Sequence, residues 1–375
     1  MPCDIATRAG EGPGVGMGVD CRAALLLAGL LAAPAVLAAE ERPPLGVIDF
    51  YGVRKASVER LREALVIREG DPAPQAAGAV EGIVKRLQLV RHVSRAAIDV
   101  VCCHEGRSML FVGIEERGAP RLTFLPRPTS DIRLPEEISS AYNRFMEALM
   151  IAVLRGENRD DRSQGHSLMI DPDCRRIQEQ FVTLAGANLD VLRRVLREAE
   201  DVQQRAVAAW VIGYAPDKGA VAADLQAAVR DPDKDVRNNA VRGLGVIAHF
   251  ARLHPDLGIR IPYPALVEML DSLFFSDRNK SLFVLQAITA DHDPGVIEAL
   301  RRQRVPALEE MARWKSPGHA LPAFTLLGRV AGMSEEEIRE AWDEGGREES
   351  LARIQSRIET LPPDRTRPSA TLQGE

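Results

Sequence analysis

The sequence predicts a small α+β domain followed by an all-α solenoid, and three observations carry that reading. Residues 45–124 run in the order strand, helix, helix, strand, strand. Residues 187–332 carry an apolar helical stripe that returns in successive registers anchored at Asp201, Asp235, Ser276 and Gly318. Only 5% of the residues are aromatic, which leaves the packing to Leu, Val and Ala, as in stacked helical hairpins.

The 375-residue chain is 45% hydrophobic and 27% charged, a globular composition long enough for more than one core. Its net charge of −6 argues against a nucleic-acid binder, which needs a concentrated basic stripe. Ala23–Leu37 is an apolar run after Arg22, with Val36 and Ala38 at −3 and −1 of a cleavage site. A membrane anchor needs roughly 20 apolar residues, whereas this run is shorter and holds Pro34. The expectation is a signal peptide over 1–38, translated from Met1 or Met17, and an exported chain, periplasmic or secreted, that begins at Ala39. The exported chain keeps Cys102, Cys103 and Cys174, an odd count that leaves one thiol free or paired between chains. No Cys-x-x-Cys is present, so buried thiols are expected rather than a redox site.

In the first domain, Leu45–Val53 reads as a strand. Val58, Leu61, Leu65 and Ile67 mark a helix that ends at Glu69-Gly70-Asp71-Pro72, and Val80, Ile83, Val84 and Leu87 mark a second. Val93–Val101 and Ser108–Glu115 read as strands split by the turn His104-Glu105-Gly106-Arg107. This order resembles the POTRA domain of outer-membrane assembly proteins, two-partner secretion transporters and bacterial division proteins. The residues that carry the resemblance are Val47–Val53, the Glu69-Gly70-Asp71 break, Leu87-Gln88-Leu89-Val90, and Ile114-Glu115-Glu116. It implies recognition of a partner segment by strand addition to the sheet edge. No run of alternating strands follows, so a transporter barrel is not expected.

Residues 134–186 read as a helical connector: a helix over 136–153 with Ile138, Tyr142, Phe145, Leu149 and Ala152 on one face, a polar and mobile loop over 156–173, and a helix over 175–184. From Leu189 the repeats begin. Outer helices fall at Leu189–Glu198, Ala220–Arg230, Pro264–Phe274 and a Pro306-interrupted segment from Val296 to Trp314, with inner helices starting near Asp201, Asp235, Ser276 and Gly318. Val236, Ala240, Val241, Leu244, Ile247 and Ala248 form one stripe opened by Asp235 as N-cap. Upstream, Asp201, Val202, Ala206, Val207 and Trp210 match it when Asp201 is laid on Asp235. Downstream, Leu282, Leu285 and Ile288, then Phe324, Leu327 and Val330, match it again.

These residues, above all Asp231-Pro232-Asp233, Asp235-Val236-Arg237 and Ala240–Gly245, resemble the HEAT-like repeats of the type shared with phycobilisome lyases. The resemblance covers about 187–332. It implies a ladder of Asp and Arg between neighbouring turns, which makes Asp235, Arg237 and Arg278 structural. Residues 333–360 read as an amphipathic capping helix broken at Gly345-Gly346, and 361–375 as a disordered tail.

The chemistry-bearing residues are scattered. The seven histidines form neither His-x₃-His nor His-Glu-x-x-His, and His104-Glu105 is a single pair in a hairpin turn. Asp291-His292-Asp293 before Pro294 reads as a solvated turn. No nucleophile elbow, phosphate-binding loop or Ser-x-x-Lys is present. The expected function is therefore a non-enzymatic scaffold without cofactor or metal, binding a protein or peptide of the cell envelope through the solenoid groove and the sheet edge. An enzyme or enzyme subunit of the lyase-like repeat family is the alternative, and converging titratable groups in a pocket would favour it. The inner-helix residues expected to face the partner are Arg205, Asn238, Arg242 and Lys280, and their basic residues are expected to be replaceable by Ser without loss of the fold.

Overall fold

The computed structural model describes residues 43–74, 76–157 and 159–361. The signal segment over 1–38, and the tail over 361–375 apart from Leu361, lie outside these residues.

The first domain contains β1 (Leu45–Tyr51), α1 (Val58–Leu65), α2 (Ala77–Gln88), β2 (Val93–His104) and β3 (Arg107–Glu116). The sheet order is β1-β3-β2, with β1 parallel and β2 antiparallel to the central β3. Alternation along β3 divides its side chains between two cores, because successive residues of a strand point to opposite faces. Leu110, Val112 and Ile114 join Leu61, Leu65, Ile83 and Leu87 of the two helices. Met109 and Phe111 enter the core of the helical array instead. Glu116 closes the domain's first turn: burial alone would raise its pKa, but N–H groups of Lys55, Ala56 and Arg54 donate to the carboxylate and hold it below the usual range.

Cys102 and Cys103, expected as buried thiols, are bonded to each other as adjacent residues near the end of β2, joined by a cis peptide and half-exposed. Cys174 is a buried free thiol, pushed up to about 12 by burial, with the carboxylate of Asp171 acting in the same direction.

The array comprises α3 (Glu136–Leu154), the short hairpin β4 (Asp160–Asp161) and β5 (Leu168–Met169), α4 (Pro172–Ala187), α5 (Leu189–Glu198), α6 (Val202–Val211), α7 (Lys218–Ala228) and α8 (Lys234–Leu253). It continues with α9 (Pro264–Met269), α10 (Phe275–Ile288), α11 (Pro294–Gln303), α12 (Val305–Ala312), α13 (Pro317–Val330), α14 (Glu335–Asp343) and α15 (Arg347–Thr360). Inner helices α6, α8, α10 and α13 pack side by side in that order, with α3 alongside α6. Leu244, Leu285 and Phe324 are fully buried at their predicted stripe positions. Ser334 opens α14 with a capping box to Glu337, and the Gly345-Gly346 break separates α14 from α15, whose Leu351 and Ile354 are buried in the main core.

Two sequence expectations for this region require correction. One core runs without interruption from Leu134 to Ile354, so 134–186 is the first layer of the array and not a connector. Within it, the segment expected to be a mobile loop is anchored. Leu168 and Met169 are buried, Met169 N–H donates to Gln178 Oε1 at 2.6 Å, and Asp171 caps α4 by accepting from Cys174 N–H at 2.8 Å. Polarity of the flanking residues concealed two apolar anchors.

The ladder also corrects the repeat register. Arg205 Nη1 donates to the carbonyls of Ala199 and Glu200 just before its own helix, and Arg237 Nη1 donates to those of Asp231 and Pro232 in the same way. Arg278 Nε donates to the carbonyl of Ser272, at the matching place before α10. The helices start after Asp201, Asp233 and Phe274, so Asp201 corresponds to Asp233, and the N-cap of α8 is Asp233, not Asp235. Laying Asp201 on Asp235 aligned apolar stripes while missing the guanidinium that defines the turn. Each Arg reaches forward to a carboxylate: Arg205 to Asp231, Arg237 to Asp277, Arg278 to Glu310.

The first domain docks on the amino-terminal ends of the inner helices. Phe111 stacks on Phe275 with ring centroids 3.9 Å apart and meets Trp314 edge-on. Asp99 accepts from Lys234 Nζ at 2.8 Å and from Phe275 N–H, and Tyr51 OH donates to Leu273 O at 2.8 Å. Lys315 N–H donates to Asp49 and its ammonium to Ile48 O, both at 2.9 Å. From this dock the chain runs back along the ladder as an extended strap. Phe124 lies on Arg237 at 4.1 Å, Leu125 N–H donates to Arg230 O, and Ser130 N–H donates to Glu198 O before α3 begins.

Candidate binding surfaces

The four residues expected to face a partner do not form one surface. Arg205 is 2% exposed, with Nε on Asp231 at 2.9 Å and Nη1 on two carbonyls, so it is a ladder residue and not a contact residue. Its replacement would leave Asp231 buried without a counter-charge, which contradicts the expectation that a joint serine variant keeps its fold. Asn238 is half-buried and donates to Asn239 Oδ1 at 3.3 Å. Lys280 is half-buried on α10. Of the four, Arg242 lines a cleft.

That shallow cleft lies between the β4–β5 hairpin, the carboxyl-terminal end of α6 and the middle of α8. Its walls include His166, Trp210, Gly213, Tyr214, Asn239 and Arg242. The Arg242 guanidinium lies over the Trp210 ring, 4.1 Å from its centroid. Trp210 is 7% exposed, and its indole N–H lies near the Tyr214 hydroxyl without reaching hydrogen-bonding geometry. Tyr214 OH donates to Ser167 O and accepts from Gln178 Nε2, both at 3.0 Å. Gly213 is buried, yet a Cβ added there would meet nothing within 4 Å, so its missing side chain leaves open space.

Behind this wall, Lys218 Nζ donates to Gly213 O at 2.9 Å and Ala215 O at 2.8 Å and lies 3.5 Å from His166 Nδ1. Burial lowers Lys218 to about 8; burial and the neighbouring Lys218 charge lower His166 to about 4. His166 is therefore neutral at pH 7, as an acceptor from an ammonium must be.

The second surface is the outer edge of β2. This strand pairs with β3 on one side, and no described residue forms a main-chain hydrogen bond to the other. The β1 edge is by contrast covered, since Leu45 exchanges hydrogen bonds with Gly70 and Asp71 and Ile48 O takes Lys315.

Sequence reading missed Trp210, Gly213, Tyr214, His166 and Lys218. Once Asp201 is laid on Asp233, Trp210 and Arg242 occupy equivalent positions of successive inner helices, and that coincidence was the available signal for their stacking. His166 and Lys218 carry no such signal, being brought together by the hairpin. Asp293, in the motif read as a solvated turn, caps α11 through Gly295 and Val296 N–H. Among the described residues, no cluster of three or more His, Cys, Asp or Glu is placed to hold a metal ion, and no helix is long and apolar enough to cross a membrane.

No family model matches the chain, and no curated protein does. Among solved structures, a computationally designed armadillo repeat protein for modular peptide recognition superposes with a TM-score of 0.33 at 15% identity, covering 50% of this chain and 92% of its own. A second designed armadillo repeat protein superposes with a TM-score of 0.31 at 16% identity, over the same shares. Likenesses this distant have no bearing on function.

Proposed function

We propose that the protein is a non-catalytic scaffold of the bacterial envelope, exported by its amino-terminal apolar segment, that holds an extended segment of a partner protein. The observation that carries this reading is the unpartnered outer edge of β2. An exposed strand edge presents a row of N–H and C=O groups that another chain can complete. Edges of this kind are a liability unless used or guarded, and β2 carries no proline between Val93 and His104, while Asp99 at its centre is turned to Lys234 and Phe275. Docking of the opposite sheet face on three inner helices fixes the edge on a rigid support. The strand order supports the POTRA-like reading of this domain, and the arginine ladder supports the HEAT-like reading of the array.

An enzyme draws support from the cluster of Lys218, His166 and Tyr214 at a cleft. Two carbonyls and the imidazole already surround the Lys218 ammonium, and Tyr214 OH both donates and accepts. The cluster is better read as the knot that ties the hairpin to α6 and α7, since the Lys218 ammonium and the Tyr214 hydroxyl are both taken up by partners within the protein.

Proline offers a test, because adjacent residues of an edge strand alternate between inward and outward N–H groups. Of Ala97→Pro and Ile98→Pro, one breaks the bond to β3 and the other only blocks the edge. The variant that unfolds at the wild-type temperature is expected to lose capture of the partner recovered from envelope extract. Full capture by that variant would remove the edge from the function.

A further inference from the structure

The cleft beside Trp210 holds a guanidinium that lacks an acceptor. Arg242 makes no ion pair or hydrogen bond with any described residue, its contact being the face of Trp210. The Trp210 side chain beneath it is more than nine-tenths buried, with its indole N–H turned to the neighbourhood of the Tyr214 hydroxyl. The carboxylates of the nearby hairpin are engaged elsewhere: Asp160 accepts from Arg162 at 3.0 Å and from Ser167, and Asp161 accepts from Ser163 N–H at 2.9 Å. Lys218 adds positive charge behind the wall. A guanidinium held over an aromatic ring has no hydrogen bond there to spend its N–H donors on, and its planar fork can meet a carboxylate with two parallel hydrogen bonds. The open space at Gly213 lies in the same cleft.

We propose that this cleft is a carboxylate-binding site, in which the guanidinium edge of Arg242 takes both oxygens of one carboxylate and the carbon chain behind it fills the space over Gly213. The cleft is open to solvent, so the carboxylate of a short acid or of one acidic side chain of a peptide can reach the guanidinium while the rest of the ligand stays outside. The site is separate from the β2 edge, and the tolerated edge proline is expected to leave it unchanged.

Calorimetric titration of the purified protein with defined probes tests the proposal: glutarate, acetyl-Ala-Ala-Glu-Ala-Ala-amide, its Gln twin, and inorganic phosphate. Glutarate is expected to bind more tightly than phosphate, and the Glu peptide about 10- to 100-fold more tightly than its Gln twin, the range of charge-assisted hydrogen bonds. Preference for the Glu peptide over glutarate would make the source a protein segment; the reverse order would make it a free acid. Arg242→Met keeps a stem on Trp210 and removes the charge, while Gly213→Leu fills the space and keeps the charge. Each is expected to lose binding about tenfold or more at an unchanged unfolding temperature. The proposal is overturned if no carboxylate binds at tens of millimolar, if the Gln twin or phosphate binds equally well, or if the folded Arg242→Met protein binds as the wild type does.

Discussion

Replacing Arg237 by Ala is expected to lower the unfolding free energy by about 3–5 kcal/mol, the cost of leaving one member of a buried ion pair without its partner. Arg237 and Asp277 have side-chain exposures of 0% and 1%, and the guanidinium reaches the carboxylate through Nε at 3.0 Å and Nη2 at 2.8 Å. Nη1 also serves the carbonyls of Asp231 and Pro232 at the turn before α8. One side chain therefore closes its own turn and joins α8 to α10, while Phe124 of the strap covers its face. After the change, Asp277 keeps the Ser272 hydroxyl at 2.6 Å but faces no positive charge. The double variant Arg237→Met with Asp277→Leu removes both charges, and chemical unfolding is expected to show a smaller loss than Arg237→Ala alone. A loss under about 1 kcal/mol in Arg237→Ala would mean that the pair does not join the two helices in solution.

Asp at position 244 or 285 is expected to cost about 4 kcal/mol or more, because an unpaired carboxylate would enter a core from which water is excluded. Both leucines are 0% exposed and lie at equivalent places of α8 and α10. A typical domain has about 5–15 kcal/mol of total stability, so either variant should lose most of its cooperative thermal transition. Leu321→Asp is the control: it lies on α13 at 37% exposure and is expected to change stability by about 0.5 kcal/mol or less. Wild-type unfolding of both core variants would disprove the stacking register.

The stripe positions on α8 and α10 were legible because their apolar residues recur at helical spacing, although polar residues beside them are buried as well. The interval between the first two inner helices was not, since Ala and Val recur often enough in α6 to match α8 with Asp201 laid on either Asp233 or Asp235. Only the guanidinium contacts separate the two alignments. Arg205 illustrates the same limit. A basic residue on a helix reads as solvated, and its burial follows from an Asp231 carboxylate that only the fold brings within 2.9 Å. The succession of strands and helices along the first domain was legible from turn residues and apolar spacing, whereas the sheet order and the dock of β3 on α10, which rests on Phe111 and Phe275, join residues far apart in sequence. The cleft was half legible: Arg242 stood out as a basic residue of an inner helix lying off its apolar stripe, but its ring partner awaited the true repeat interval.

Hydrogen exchange along β2 measures directly whether the open strand edge is the place where a partner binds. In the unbound protein, alternate amides between Ser94 and Val101 should exchange rapidly while their neighbours, bonded to β3, are protected. In the complex purified from envelope extract, the fast set should become protected over several consecutive alternate positions, as a new strand demands. An exchange pattern across β2 identical in the bound and unbound protein, with protection appearing only on the helical array, would contradict strand addition and place recognition on the helices alone.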